Sequence, residues 1–446
     1  MKEYLRFLWR CLRVSFVGDW RYHLWMLVLT CVAAVGLHAY VQQFVHGLAV
    51  TGLSDQVSWG LYIGNFTYLV GIAAAAAMLV IPVYVYRNRE LEHLVIFGQL
   101  LAVSAVIMAL LFVVVDLGRP DRGYHLMLRF NFPSSMLSWD AASLNGYLLL
   151  NLHICGYLIY SAYRMREPSR LFYVPFVFLS IVWAVGIQTI EAFLYVGLGS
   201  RPFWNSAIIV PRLLSAAFSV GPSFLIMTLG VLSRYTLYAV PRRAFQTLRN
   251  IITVSLTINL FLLICEVFAE LYADTAHAAS TRYLWTGLHG HGTLVPWIWT
   301  SLGLTVTALV LLYHPVTKVN RGWLFGACGL LMAGVWIDKA LGLVIPAFVP
   351  SPLGEIVEYK ATLNEVLVSL GIWAGGLMIF TVMVRITIPV LEGRLTVSSS
   401  YHRGRVPAAE QVPTRLTETT RIITRPRPAP SGHPPGEHPG DQEETS

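Results

Sequence analysis

Ten mostly apolar stretches of about twenty residues or more recur along this chain: 22–44, 59–86, 94–116, 141–163, 171–196, 213–238, 250–272, 294–313, 322–345 and 365–388. A helix rising 1.5 Å per residue needs roughly 20 such residues to cross a hydrocarbon core ~30 Å thick. Inside that core every backbone N–H and C=O must be bonded within the protein, which leaves helices or a closed barrel. No stretch alternates apolar and polar residues as a barrel strand does. The expected fold is therefore all-α: a polytopic membrane protein of about ten transmembrane helices. Only 13% of residues are charged, against roughly 25% in soluble domains. The formal charge of +8 does not indicate a nucleic-acid surface, because the stretch 40–58 carries no Lys or Arg at all.

The cations are distributed unevenly between the two sets of connections. Lys2, Arg6, Arg10, Arg13, Arg21, Arg87, Arg89, Arg164, Arg166, Arg170, Arg234, Arg242, Arg243, Arg249, Lys318 and Arg321 fall on one side. The other side has only Arg119, Arg122, Arg129, Arg201, Arg212, Arg282 and Lys360. The positive-inside rule then predicts both termini in the cytoplasm of a bacterial inner membrane. It leaves the longer connections 117–140, 197–212, 273–293 and 346–364 outside, rich enough in Trp, Pro and Gly to serve as a docking surface or simply to fold over the helices. Residues 1–20 are amphipathic and basic with no small-residue cleavage site, so no cleavable leader is expected. The domain reading is a transmembrane unit over 1–388 and, over 389–446, a disordered, Pro-rich cytoplasmic tail too poor in apolar residues to offset the entropy of ordering. The five cysteines form no CxxC or CxxCH pair. The chain thus offers no obvious iron–sulfur, zinc or covalent haem site.

Ionisable residues inside a bilayer are costly and point to function unless a structural partner accounts for them. Reading alternate spans in opposite directions, polar and ionisable residues gather toward the outer ends: His38, Gln42 and Gln43; Trp59, Tyr62 and Asn65; Asp116; Asp140 and Asn145; Gln188, Glu191 and Tyr195; Asn259, Glu266 and Glu270; Asp338 and Lys339. Asn259, Glu266 and Glu270 share one helical face. The inner half offers mainly Gln99, Asn151, His153 and Ser255. A transporter holds its polar site near the midplane, whereas a redox site served from outside needs only an outer cavity. Each residue also has an ordinary explanation. Asp338 and Lys339 serve equally well as a structural ion pair, Glu191 and Glu270 can reach up to the interface, and His153 reads more readily as a hydrogen-bonded side chain than as a ligand.

The most distinctive segment is VVVDLGRPDRGYHLMLRFNFPSSMLSWD, from Val113 to Asp140. Gly118 and Pro120 break a helix that ends at Asp116, and Arg119, Asp121, Arg122 and His125 follow at the membrane surface. Donors, acceptors and an imidazole beside an apolar cavity suit a quinone headgroup, which needs two hydrogen bonds, proton exchange and a slot for its tail. A loop closed by Asp116 against Arg119 or Arg122 is the alternative.

That loop, together with WGLYIGNFTYLVGIAAAAA at Trp59–Ala77 and the Asn259–Glu266 spacing, resembles the NrfD/PsrC (polysulfide reductase membrane subunit) family. Within it the chain is similar to the HybB-like branch and, most of all, to DsrP-type subunits of the DsrMKJOP sulfur-metabolism complex. The resemblance spans roughly residues 20–390. It implies two four-helix bundles plus extra helices, no bound metal or haem, and menaquinone or ubiquinone as an exchangeable substrate. It also implies an extracytoplasmic iron–sulfur partner, with a multi-haem cytochrome c and further membrane or cytoplasmic redox subunits in the complex. The family's quinone-site positions fall here on Asp55, Trp59, Tyr62, Asp116, Arg119 and His125. Some relatives carry Asn and His just before the Trp, where this chain has Asp55, Gln56 and Ser58. Proton exchange is expected at Asp116, Glu191, Glu266 and Asp338. With no redox centre evident in its own sequence, the chain would be active only within a complex. Two other readings stay open: a secondary ion or solute transporter coupled through Glu266, Asp338 and Lys339, and a haem-b membrane cytochrome.

Overall fold

A computed structural model describes residues 2–81, 83, 92–236, 240–273 and 276–397. Arg87, Arg89, the end of the expected second span and the tail from 398 lie outside the described residues.

The chain opens with α1 (Lys2–Ser15), then α2 (Trp20–His46), α3 (Leu61–Val80), α4 (Glu92–Asp116) and the single turn α5 (His125–Leu128). It continues through α6 (Met136–Tyr163), α7 (Arg170–Val196), α8 (Ile209–Tyr235), α9 (Arg242–Ala273) and α10 (Ala276–Trp285). It ends with α11 (Val295–Tyr313), the turn α12 (Val316–Val319), α13 (Arg321–Ile337) and α14 (Leu363–Leu391). Among the described residues nine helical stretches are long and apolar enough to cross a membrane, and α3 adds a shorter apolar one over Leu61–Ala74. The nine correspond to nine of the ten expected spans, with ends shifted by up to about eight residues, and α3 covers the described part of the expected 59–86 span. α10, and a π-helical turn at Asp338–Leu343 that prolongs α13, are features that hydropathy did not reveal.

Two groups of four helices form the body. α3, α4, α6 and α7 pack as one bundle, and α8, α9, α11 and α13 as the other, with α3 lying against α8 where they meet. α2 and α14 pair outside the first bundle against α4. Their approach is set by Gly36 and Gly371: a Cβ built on Gly36 would stand 2.5 Å from the Gly371 Cα. Small residues permit this in lipid, where helices associate by close packing rather than by escape from water. Leu24, Leu27, Val35 and Leu37 of α2, and Ile258, Phe261, Ile264 and Phe268 of α9, are exposed and supply an apolar belt.

α1 is a surface helix. Its i, i+4, i+7 residues Phe7, Cys11 and Val14 are buried. Arg10 donates to the Thr396 carbonyl at 2.7 Å and to the Tyr163 hydroxyl at 3.1 Å. The N-terminal helix, the end of α6 and the residues after α14 therefore share one face. The connections 47–60, 117–135, 197–208, 286–294 and 344–362 lie at the opposite one, called here the loop face.

Candidate functional site

Because successive helices alternate in direction, residues far apart in sequence reach the same depth below the loop face. Gln43 lies near the end of α2, Tyr62 at the start of α3 and Asp116 at the end of α4. Asp140 begins α6, Glu191 nears the end of α7, Arg212 begins α8 and Glu266 nears the end of α9. Asp338 opens the π turn and Glu365 begins α14. The structure sorts these residues into three neighbourhoods.

The first joins α2, α3, α4 and α14. The buried Tyr62 hydroxyl donates to Gln43 Oε1 at 2.7 Å, and Gln43 Nε2 donates to the Val115 carbonyl at 2.6 Å. Both side chains are thereby fixed beside Asp116, whose Oδ1 is covered and has no hydrogen-bond partner among the described residues. Behind them Glu365 is fully buried. It accepts from Gly52 N and Thr362 N, each at 2.8 Å, and from the Tyr359 hydroxyl at 2.7 Å. The Tyr359 oxygen in turn accepts from Leu61 N at 2.9 Å, one of the first N–H groups of α3 that lack an intrahelical partner. Burial, reinforced by the Glu365 carboxylate, pushes the Tyr359 hydroxyl well above its ordinary pKa. Asn65 latches α3 to both neighbouring units: its Oδ1 accepts from Trp336 Nε1 at 3.0 Å and Trp373 Nε1 at 2.9 Å.

The second neighbourhood lies inside the first bundle. The Thr67 and Tyr195 hydroxyls are hydrogen-bonded to each other, and Gln188 Nε2 donates to Glu191 Oε2 at 2.8 Å. Glu191 Oε1 and Asp140 Oδ1 are buried without a hydrogen-bond partner among the described residues. Above them Trp59 completes an aromatic roof, its ring 5.9 Å from Tyr195, 5.5 Å from Trp204 and 6.1 Å from Phe348. Burial holds the Arg201 guanidinium, 4.3 Å from the Phe348 ring, below its ordinary pKa.

The third lies in the second bundle. Arg212 bridges Glu266 and Asp338 through separate guanidinium nitrogens. Lys339 Nζ lies 3.2 Å from Asp338 Oδ2, close enough for charge attraction although not aligned as a hydrogen bond. Two cations thus face two carboxylates, and the group is neutral in formal charge. The i, i+7 pair Asn259 and Glu266 of α9 meets the i, i+3 pair Ser215 and Arg212 of α8, with Ser215 Oγ 3.5 Å from Asn259 Oδ1. Glu270 accepts a hydrogen bond from Thr281 of α10. A cavity of about 10 Å³ lined by Thr67, Gln188 and Lys339 lies between this cluster and the second neighbourhood, enough room for about one water.

The remaining expected site residues lie nearer the surface. Asp55 is exposed. Arg119 is exposed and makes a paired hydrogen bond to Asp121, both contacts 3.0 Å, which holds the Asp121 carboxyl below its ordinary pKa. The alternative closure of Asp116 by Arg119 is therefore not adopted. His125 is half-buried against Tyr124, its ring centroid 4.3 Å away, and its Nδ1 is covered with no hydrogen-bond partner among the described residues. Glu191 and Glu270 are buried rather than extended to the interface. His153 is hydrogen-bonded to the Phe172 carbonyl at 3.0 Å but faces outward.

Sequence reasoning placed Arg212 among the loop cations. It is buried in α8, and the Val-Pro-Arg start of an apolar helix was the signal available. Glu365 was also missed, although Thr362-x-x-Glu365 is the pattern of a capping box, and that box forms here.

Residues 49–349 match the family described as polysulphide reductase, NrfD. Among curated relatives, a putative dimethyl sulfoxide reductase membrane subunit of Halobacterium salinarum is 26% identical over 70% of this chain and 75% of its own. An Hdr-like menaquinol oxidoreductase integral membrane subunit of Archaeoglobus fulgidus is 24% identical over 82% of this chain and 93% of its own. A selenate reductase subunit of Mesobacillus selenatarsenatis is 24% identical over 85% of this chain and 96% of its own.

Proposed function

The chain belongs to the NrfD polysulphide reductase family, and from that premise we propose that it is the quinone-reactive membrane subunit of a respiratory redox complex. The relatives support this reading, because each is named as a membrane subunit or component of a reductase or menaquinol oxidoreductase. One observation carries it. In the loop that resembles the family most, a carboxyl oxygen of Asp116 and an imidazole nitrogen of His125 are both covered and both unengaged among the described residues. Leaving such atoms without a partner costs roughly 1–3 kcal/mol each, so their persistence argues for an intermittent partner. A quinone headgroup, with two oxygens that each accept or donate, is such a partner.

A quinol gives up two electrons and two protons on becoming a quinone. The electrons pass one at a time to an iron–sulfur subunit on the loop face, the extracytoplasmic side in this reading. The protons leave through groups able to exchange them: His125 and Asp116 at the headgroup, then Glu191 and Asp140 in the first bundle. Tyr62 and Gln43, already bonded to each other, position Asp116. Trp59 bounds the apolar side of the site. Asp55 and Arg119 act from the surface, at the edge of the headgroup or toward the partner. The Arg212–Glu266–Asp338–Lys339 cluster borders this path and holds its charges fixed. The finer assignment, a DsrP-type subunit in dissimilatory sulfur metabolism with a multi-haem cytochrome c in the complex, rests on the sequence resemblance. A transporter reading is less well supported, since the charges of the second bundle neutralise one another.

Replacing His125 by Ala is expected to abolish quinol-dependent reduction of the partner's cluster in membranes while the complex still assembles. An unchanged rate would remove His125 from the site.

A further inference from the structure

Far from the loop face, where α9 and α13 begin, a cavity of about 260 Å³ opens between the two helices and α12. Its lining includes Arg242, Arg249, Lys318 and Arg321, with Gln246 and Thr317, and no carboxylate among the described residues. Arg242 is the first residue of α9 and Arg321 the first of α13, so two helix N-termini bring their positive dipole ends to the same space, although the Asn320 side chain already caps Gly322 N of α13. Arg249 is buried. Its Nε donates to Thr317 Oγ1 at 2.9 Å, one terminal nitrogen to Asn250 Oδ1 at 3.1 Å and the other to the Leu312 carbonyl. All three acceptors are neutral, and a guanidinium has five N–H donors. Among the described residues this buried cation is held only by neutral oxygens, without the counter-charge that burial demands. The Arg321 guanidinium is held beside the cavity, 4.8 Å over the Phe245 ring.

We propose that this cavity binds a phosphate group, supplied by the headgroup of an anionic glycerophospholipid in the surrounding leaflet. Four cations without a carboxylate match a phosphate diester better than a zwitterionic headgroup, whose ammonium they repel. At the starts of two helices long enough to span a membrane, the phosphate would enter between α9 and α13 while the acyl chains stay in the hydrocarbon. Basic pockets between transmembrane helices recognise lipid phosphates on this basis. The site is separate from the quinone reading and does not depend on it.

The test is native mass spectrometry of the full-length protein, extracted with its accompanying subunits and titrated with phosphatidylglycerol or phosphatidylcholine. The protein is expected to retain phosphatidylglycerol at about tenfold lower concentration than phosphatidylcholine. The triple variant Arg242→Gln, Lys318→Gln, Arg321→Gln is expected to lose that preference; it leaves intact the Arg249 bonds that tie α9 to α11 and α12. A charge-preserving variant, Arg242→Lys with Arg321→Lys, is expected to keep it and guards against misfolding. Inorganic phosphate is titrated in parallel on delipidated protein. Stabilisation by phosphate with no phosphatidylglycerol retained assigns the cavity to a free phosphate and overturns the lipid source. Equal retention of both lipids by wild type and triple variant, with no phosphate response, overturns the site.

Discussion

The two bundles treat buried charge in opposite ways. In the second, Glu266 and Asp338 are each held by Arg212, and Lys339 completes a neutral set of four. In the first, Asp140 and Glu191 are as deeply buried, yet among the described residues each keeps a carboxyl oxygen without a hydrogen-bond partner and neither makes a salt bridge. A carboxyl clamped between cations has a fixed charge. One that lacks a fixed counter-charge can take up or release a proton when a neighbouring group changes charge. On the proposed function, the second bundle supplies cohesion and the first supplies exchange.

The largest effect should come from breaking the clamp. Arg212→Gln leaves two buried carboxylates facing Lys339 alone and is expected to destabilise the protein by about 3–5 kcal/mol. Thermal unfolding in detergent measures this, and a change below about 1 kcal/mol would remove the contrast between the bundles. The double variant Arg212→Gln, Glu266→Gln should recover much of that loss, because neither charge is then stranded; simple additivity of the two single losses would contradict the coupling. Next in size, Tyr359→Phe deprives both Glu365 and the first N–H of α3 of a partner and is expected to cost about 1–3 kcal/mol.

Glu191→Gln sharpens the comparison from the other side. It keeps the shape of the first bundle and removes only an exchangeable proton, so stability should change by less than about 1 kcal/mol while quinol-driven turnover falls and its pH profile shifts. A large loss of stability with normal turnover would place Glu191 with the structural charges. The smallest effect is expected at the surface, at Glu358. Desolvation pushes its carboxyl up, but the Thr293 backbone N–H, the Thr293 hydroxyl and His291 outweigh this and hold it below its ordinary value of 4.5. A depressed folded pKa gives stability that is complete above the unfolded value and fades as pH falls through the folded one. Glu358→Gln should therefore lower stability slightly at neutral pH and make no difference in acid below that folded pKa. A difference that persists there would contradict the assignment.

How much of this was legible in the sequence differs by feature. The spans were, because an apolar run of transmembrane length constrains helix and membrane at once. Acids such as Asp116, Glu191, Glu266 and Asp338 were visible as carboxyls within or at the ends of apolar runs. Their partners were not. Arg212 looked like a loop cation because hydropathy marks where a charge interrupts a span, not which way its helix turns. The π turn that aims Asp338 and Lys339 inward, met by Arg212 from 126 residues away, and the tether of Leu61 to Tyr359, 298 residues apart, depend on contacts between distant segments, which periodicity does not encode.

The central claim is that quinol reacts beneath the loop face at the first bundle. Photo-crosslinking the intact complex with an azido-quinone, followed by peptide mapping, tests it most directly. The account predicts labelling within 59–68 and 113–140, displaced by excess unlabelled quinone. Displaceable labelling confined to α9 and α13, around Glu266 and Asp338, would contradict it.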